Sequence, residues 1–95
     1  MYQIVYAKKF LKAYAKLVKG GLKKSVQRQI AETIDLIATG ERLPQAYRDH
    51  QLHGDFERYR ECHAQGDLLL MYQIVDEELV VLMVNFGSHN DLFNE

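Results

Sequence analysis

The chain has one cysteine, one proline and no tryptophan among its 95 residues. A lone Cys62 cannot close an internal disulfide, so the sequence fits a reducing, cytoplasmic compartment. There is no apolar run long enough to span a membrane and no signal-peptide pattern at the N-terminus. Linkers, repeats and low-complexity segments are missing too. With 47% hydrophobic residues, disorder is excluded and one domain over residues 1–95 is expected. The last shortage is of acids. Residues 1–30 hold seven Lys, one Arg and no Asp or Glu, a charge of +8, while the remainder holds four Arg and thirteen acids, −9. A purely basic arm suits an anionic partner, with phosphate the usual one. Lysines on solvated helix faces would look the same by charge alone.

Tyr2 to Tyr6 is β-branched and aromatic and reads as a short strand. Lys8 to Lys19 sets Phe10, Leu11, Tyr14, Leu17 and Val18 at helical spacing, with lysines on the other side. Gly20-Gly21 permits a reversal. A second helix is expected from Leu22, with Val26, Ile30, Ile34 and Ile37 on one stripe, closing at Thr39-Gly40 before Pro44. Glu41 to Asp55 has no period and reads as a loop, with one helical turn near Gln45–Arg48. Phe56 to His63 suits a strand, followed by a hairpin turn over 64–67. Leu68 to Val75 and Leu79 to Phe86 are apolar on both faces, as central strands are, and Asp76-Glu77-Glu78 turns between them. His89 to Phe93 suits one terminal turn. The expected fold is therefore α+β: an N-terminal strand, a two-helix hairpin, then a three-strand antiparallel meander, in one sheet with the helices on one face.

Three of the four histidines fall between Arg48 and Asp67, and His89 follows the last strand. A metal site from His50, His53 and His63 is weakly suggested at best, because the His-x-x-His pair lacks a helical frame and no second Cys is present. Acid–base work suits histidine, which titrates near neutral pH. Cys62-His63 is not a nucleophile–base pair, since neighbours on a strand point to opposite faces. By that rule Tyr59, Glu61 and His63 share one face and Arg58, Arg60 and Cys62 the other. Asp67 ends the hairpin turn, either as an ordinary turn aspartate or as a group that orients or charges His63. Arg58 and Arg60 either pair with Glu57 and Glu61 or hold a phosphate. Phe93 is a core residue or a platform for a base.

The run Leu43-Pro44, Tyr47, Asp49-His50, Leu52, Gly54, Tyr59-Arg60-Glu61-Cys62-His63, Asp67-Leu68-Leu69-Leu70 and Tyr72, closing on Gly87-Ser88-His89 and Leu92-Phe93, resembles the YafQ-type toxins of the RelE/ParE superfamily. The resemblance covers nearly the whole chain. It implies a RelE-like fold and an endoribonuclease that cuts mRNA on the translating ribosome. It also implies neutralisation by a cognate antitoxin, contact with DNA only through the antitoxin complex, and no metal or other cofactor. Matched motif by motif, His50, His63, Asp67 and His89 fall on catalytic positions and Phe93 on the same site. Arg60 matches a recurring arginine, and Lys8, Lys9, Lys12 and Lys16 are the candidates for holding RNA. His53 matches no such position.

RNA supplies its own nucleophile, the 2′-hydroxyl beside the scissile phosphate. Cleavage then needs a base, an acid for the 5′-oxygen and positive charge for the phosphorane. Imidazoles with a carboxylate supply all three. Two other functions share the fold: a ParE-like toxin that binds a protein target such as gyrase, which needs no histidine set, and a non-catalytic RNA- or protein-binding domain.

Overall fold

A computed structural model describes residues 1–78 and 80–93, apart from the side chain of Asn90. Its elements run β1 (Gln3–Tyr6), α1 (Lys8–Lys19), α2 (Lys24–Ala38), β2 (His50–Gln51), β3 (Arg60–Gln65), β4 (Leu68–Val75), β5 (Val80–Gly87) and α3 (His89–Phe93). They form the expected α+β layers, with three corrections. The strand expected over Phe56 to His63 runs Arg60–Gln65, because Gly54–Phe56 closes into a 3-10 turn and the Tyr59 N–H returns to the Phe56 carbonyl. The sheet has five strands in the order β1-β5-β4-β3-β2, because two residues of the long loop pair with β3 as β2. The second helix starts at Lys24, not Leu22. The Leu22 N–H closes back on the Leu17 carbonyl at 3.1 Å, with Gly21 at φ 102°, so Leu22 belongs to the helix-ending turn. Leu79, expected to open the last strand, lies outside the described residues.

The meander β3-β4-β5 is antiparallel, whereas β1 runs parallel to β5 on its far side. Pairing of β1 stops at Tyr6 opposite Met83. Beyond that level α1 takes over the flank of β5, with Phe10 and Tyr14 each 5.6 Å from the Phe86 ring. A bulge makes this packing possible. Tyr72 pairs with Met83 and Met71 with Asn85, so Val84 is an extra residue. The inserted residue switches the alternation, and Val81, Met83 and Phe86 all reach the helix-side core. Full burial of a side chain such as Phe86 is worth roughly 1.5–3 kcal/mol.

On that side Phe10, Ile30, Ile34 and Ile37 meet Cys62, Leu70, Tyr72 and Met83. The opposite face carries a smaller cluster of Leu69, Met71 and Leu92, flanked by Leu52, Tyr59 and Phe93. Cys62 is fully buried, and burial pushes its thiol up to about 12 from 9.0. Burial raises the Tyr72 phenol as well, helped by its hydrogen bond to Asp49. Both groups are held neutral in the folded state but ionise in the unfolded chain once the pH passes their ordinary values. Their contribution to stability is thus complete below about pH 9 and is lost as pH rises toward 12. Urea unfolding should show a midpoint that falls through this range, with native Cys62 inert to alkylation at its lower end. A flat midpoint would contradict this burial.

Candidate active site

The histidines gather through strand register. His50 pairs with Glu61, and His63 pairs with Leu69, which pairs in turn with Gly87. Leu69 belongs to the open-face cluster, while Cys62 and Ala64 belong to the helix-side core. Glu61, His63 and His50 therefore stand on the open side, with His63 near the end of the sheet where β3 and β5 finish and β4 begins, and Glu61 and His50 level with Met71. Ideal strand spacings put the His50 and His63 Cα atoms about 8 Å apart and His63 about 10 Å from Gly87. His89 follows Gly87 by two residues and opens α3, which lies on this same face through Leu92.

Each ring sits in a different setting. His50 Nδ1 is 2.7 Å from the Arg48 carbonyl and Nε2 is 3.2 Å from Glu61 Oε1. Both nitrogens face acceptors. Glu61 is only 5% exposed, and its second carboxylate oxygen is buried with no hydrogen-bond partner among the described residues. His63 Nδ1 lies 3.0 Å from the Gly66 carbonyl. Because that nitrogen must donate, Nε2 is left as the acceptor. The His89 ring rests on Phe93 at 4.8 Å, and Phe93 meets Phe56 edge-on at 5.2 Å.

α3 is short but firmly started. The Ser88 N–H donates to Asp91 Oδ2 at 3.0 Å, and the Asp91 N–H donates to Ser88 Oγ at 3.1 Å, a reciprocal cap that fixes the turn carrying His89. Hydrogen bonds from the Ser88 backbone and side chain hold the Asp91 carboxyl below its ordinary value. Gly87 has φ 152°, and a Cβ there would come within 2.9 Å of the Asp91 side chain. Glycine is thus required at the step from β5 into α3.

Three sequence readings change. Asp67 is exposed at the hairpin tip near His63, but the Gly66 carbonyl orients the ring, and no hydrogen bond joins Asp67 to His63 among the described residues. Arg60 does not pair with Glu61. It lies on the helix side opposite Tyr72, and its guanidinium binds Asp49 at 2.9 Å while Tyr72 donates its hydroxyl to the same carboxylate. That hydrogen bond to Asp49 raises the Arg60 pKa. Glu61, read from the sequence only as a possible partner of an arginine, is instead the buried partner of His50. Alternation had put it on the His63 face. What was missing was β2, since two residues carry no period of their own. Of the basic residues, Lys9 and Lys16 line a cleft of about 680 Å³ with Asp91, beside α3. Lys8 and Lys12 are exposed on α1.

The profile of the family described as the bacterial toxin of the type II toxin–antitoxin system, YafQ, matches residues 2–94. This chain belongs to the YafQ toxin family. A Haemophilus influenzae protein carrying the YafQ toxin name is 33% identical over 76 residues, covering 80% of this chain and 74% of that protein. Among solved structures, a metal-bound toxin from Helicobacter pylori is 39% identical with a TM-score of 0.86, over 98% of this chain and 100% of that one. YafQ in the DinJ–YafQ complex of Escherichia coli is 27% identical with a TM-score of 0.81, over 99% and 100%. In this YafQ-family chain, no group of three His, Cys, Asp or Glu side chains is placed to hold a metal among the described residues.

Proposed function

We propose that this toxin is an endoribonuclease that cuts mRNA on the translating ribosome and is silenced by a protein antitoxin. The observation that carries the reading is the grouping of three imidazoles, each with a different hydrogen-bonding environment, on one face of the sheet. Membership of the YafQ family supports it, as does the name mRNA interferase toxin borne by the E. coli relatives. The E. coli complex with DinJ supports a protein antitoxin, through which any contact with DNA is made.

In this scheme His63 Nε2 takes the proton of the 2′-hydroxyl, whose oxygen attacks the adjacent phosphorus. Asp67, exposed beside it, stabilises the imidazolium that forms. His50, backed by Glu61, lies against the equatorial oxygens of the phosphorane, where a fixed hydrogen-bond donor is worth most. The bond to the 5′-oxygen breaks as His89 hands that oxygen a proton. The products are a 2′,3′-cyclic phosphate and a 5′-hydroxyl. Phe93, in tilted contact with His89, offers its ring to a base. Lys9 and Lys16, with Lys8 and Lys12 on the same helix, attract the phosphate backbone of mRNA and ribosomal RNA. Arg60 holds Asp49, and through it the loop that delivers His50. No step is assigned to a metal.

Inducible expression tests the reading directly. Wild-type chain should arrest growth and leave mRNA fragments with 5′-hydroxyl ends. His63→Ala should do neither, while it still folds and binds antitoxin. If His63→Ala proved as toxic as wild type, with the same RNA ends, the assignment of the histidine face would be wrong.

A further inference from the structure

β2 pairs with β3 only at Arg60 and Glu61, and the edge of β3 that continues to His63 has no strand paired to it among the described residues, the turn Gln45–Tyr47 lying beside it. Two clefts lie along that edge on the helix side. One, of about 540 Å³, is lined by Arg42, Arg48 and Arg60 over Leu43 and Pro44. The other, of about 410 Å³, is lined by Arg48, Tyr47 and His63. Arg48 belongs to both, and His63 joins the second to the histidine face. Arg60 is neutralised by Asp49 at 2.9 Å. Arg42 and Arg48, both exposed, have no acidic partner within 4 Å among the described residues.

Arg48 is unusual in a second way. It sits in the left-handed region, φ 50° and ψ 40°, the one non-glycine to do so among the described residues. That conformation is unfavourable for a residue with a Cβ and persists only where its surroundings impose it. Here it turns the Arg48 carbonyl onto His50 Nδ1. One residue thus fixes a ring of the histidine face through its backbone while its guanidinium lines the clefts behind the strand edge.

We propose that this paired cleft is an RNA-backbone subsite, in which Arg42 and Arg48 hold phosphates of the strand flanking the cut. The proposal rests on the ribonuclease reading. A strand whose scissile phosphate lies at the histidines must leave the face on some side, and the β3 edge beyond β2 leads past His63 into the clefts. The two guanidinia with no acidic partner suit phosphate oxygens, which they bind through paired N–H donors. A ligand held there would also brace the turn that positions His50.

The test uses a short single-stranded RNA whose 2′-hydroxyls are all methylated, so that it binds without being cut. Its affinity is measured against salt for wild type, for the double variant Arg42→Gln/Arg48→Asn, and for Arg48→Lys. Asparagine accepts the left-handed conformation readily, so the turn behind His50 is kept while the charge is removed. Each lost phosphate contact should lower the log–log salt slope by about 0.7. The double variant should bind more weakly at low salt with a slope about 1.4 lower, and Arg48→Lys should keep most of the wild-type slope. An unchanged slope in the double variant overturns the proposal. So does normal RNA binding with weakened antitoxin binding, which would give the cleft to the antitoxin. His63→Ala, run in parallel, should fail to cut unmodified mRNA on ribosomes. If wild type itself neither binds the probe nor cuts, the ribonuclease reading falls and the subsite with it. If wild type does both and only the double variant behaves as wild type, the subsite alone is lost.

Discussion

His89→Gln should cut RNA about 10²–10⁴-fold more slowly than wild type while still binding it, the loss expected for one acid–base group. The ring is placed for this task by the backbone beneath it. β5 ends at Gly87 with φ 152°, the Ser88–Asp91 cap starts the helix at once, and Phe93 supports the imidazole at 4.8 Å. Leu92 anchors the turn to Leu69 and Met71, so glutamine can replace the ring without unseating α3. A substrate whose leaving 5′-oxygen is replaced by sulfur separates the roles, because a thiolate departs without a proton. His89→Gln should recover much of its rate on that substrate, and His63→Ala should not. Rescue of His63→Ala with no rescue of His89→Gln would exchange the two assignments.

Asp49→Ala should destabilise the fold by about 3 kcal/mol, a drop in melting temperature on the order of 15 °C for a domain of this size. The Asp49 side chain is 12% exposed and holds two partners from the helix side of the sheet, the Arg60 guanidinium and the Tyr72 hydroxyl. Removing it leaves a fully buried phenol without its acceptor and a half-buried cation without its counter-charge. The Arg60 side chain is 30% exposed, so water screens part of the loss, and the figure lies toward the low end for a broken buried pair. Asp49→Asn keeps an acceptor and should lose less. Because His50 follows directly in the chain, the alanine variant should also reduce cleavage at temperatures where it remains folded. A melting temperature within a degree or two of wild type would show that this network carries little.

Local period made much of the scaffold legible. The Lys8–Lys19 helix and the Leu68–Val75 strand have the bounds expected from sequence, since the first keeps a 3.6-residue pattern over its length and the second is a short apolar run closed by turn residues at both ends. Alternation also placed Glu61 and His63 on one face of β3 and Arg60 and Cys62 on the other. What the sequence concealed depends on partners distant in the chain. The pairing of Gln3 with Val80 leaves no local trace. β2 is too short to show a pattern, so the His50–Glu61 contact and the Asp49–Arg60–Tyr72 network could not be foreseen. Asp67 reads as an orienting group for His63 because the two share one hairpin, four residues apart. The hairpin instead brings the Gly66 carbonyl to the ring, and the chain's own backbone does the work.

The parallel pairing of β1 with β5 sets an order of events during synthesis. Among the described strands β1 has β5 as its neighbour, so Gln3 to Tyr6 must wait until Val80 to Met83 have been made. Pairings of such sequence separation close late, after the local helices and hairpins have formed. His89 is added later still. A growing chain therefore exposes its basic helices long before His63 and His89 can share one sheet.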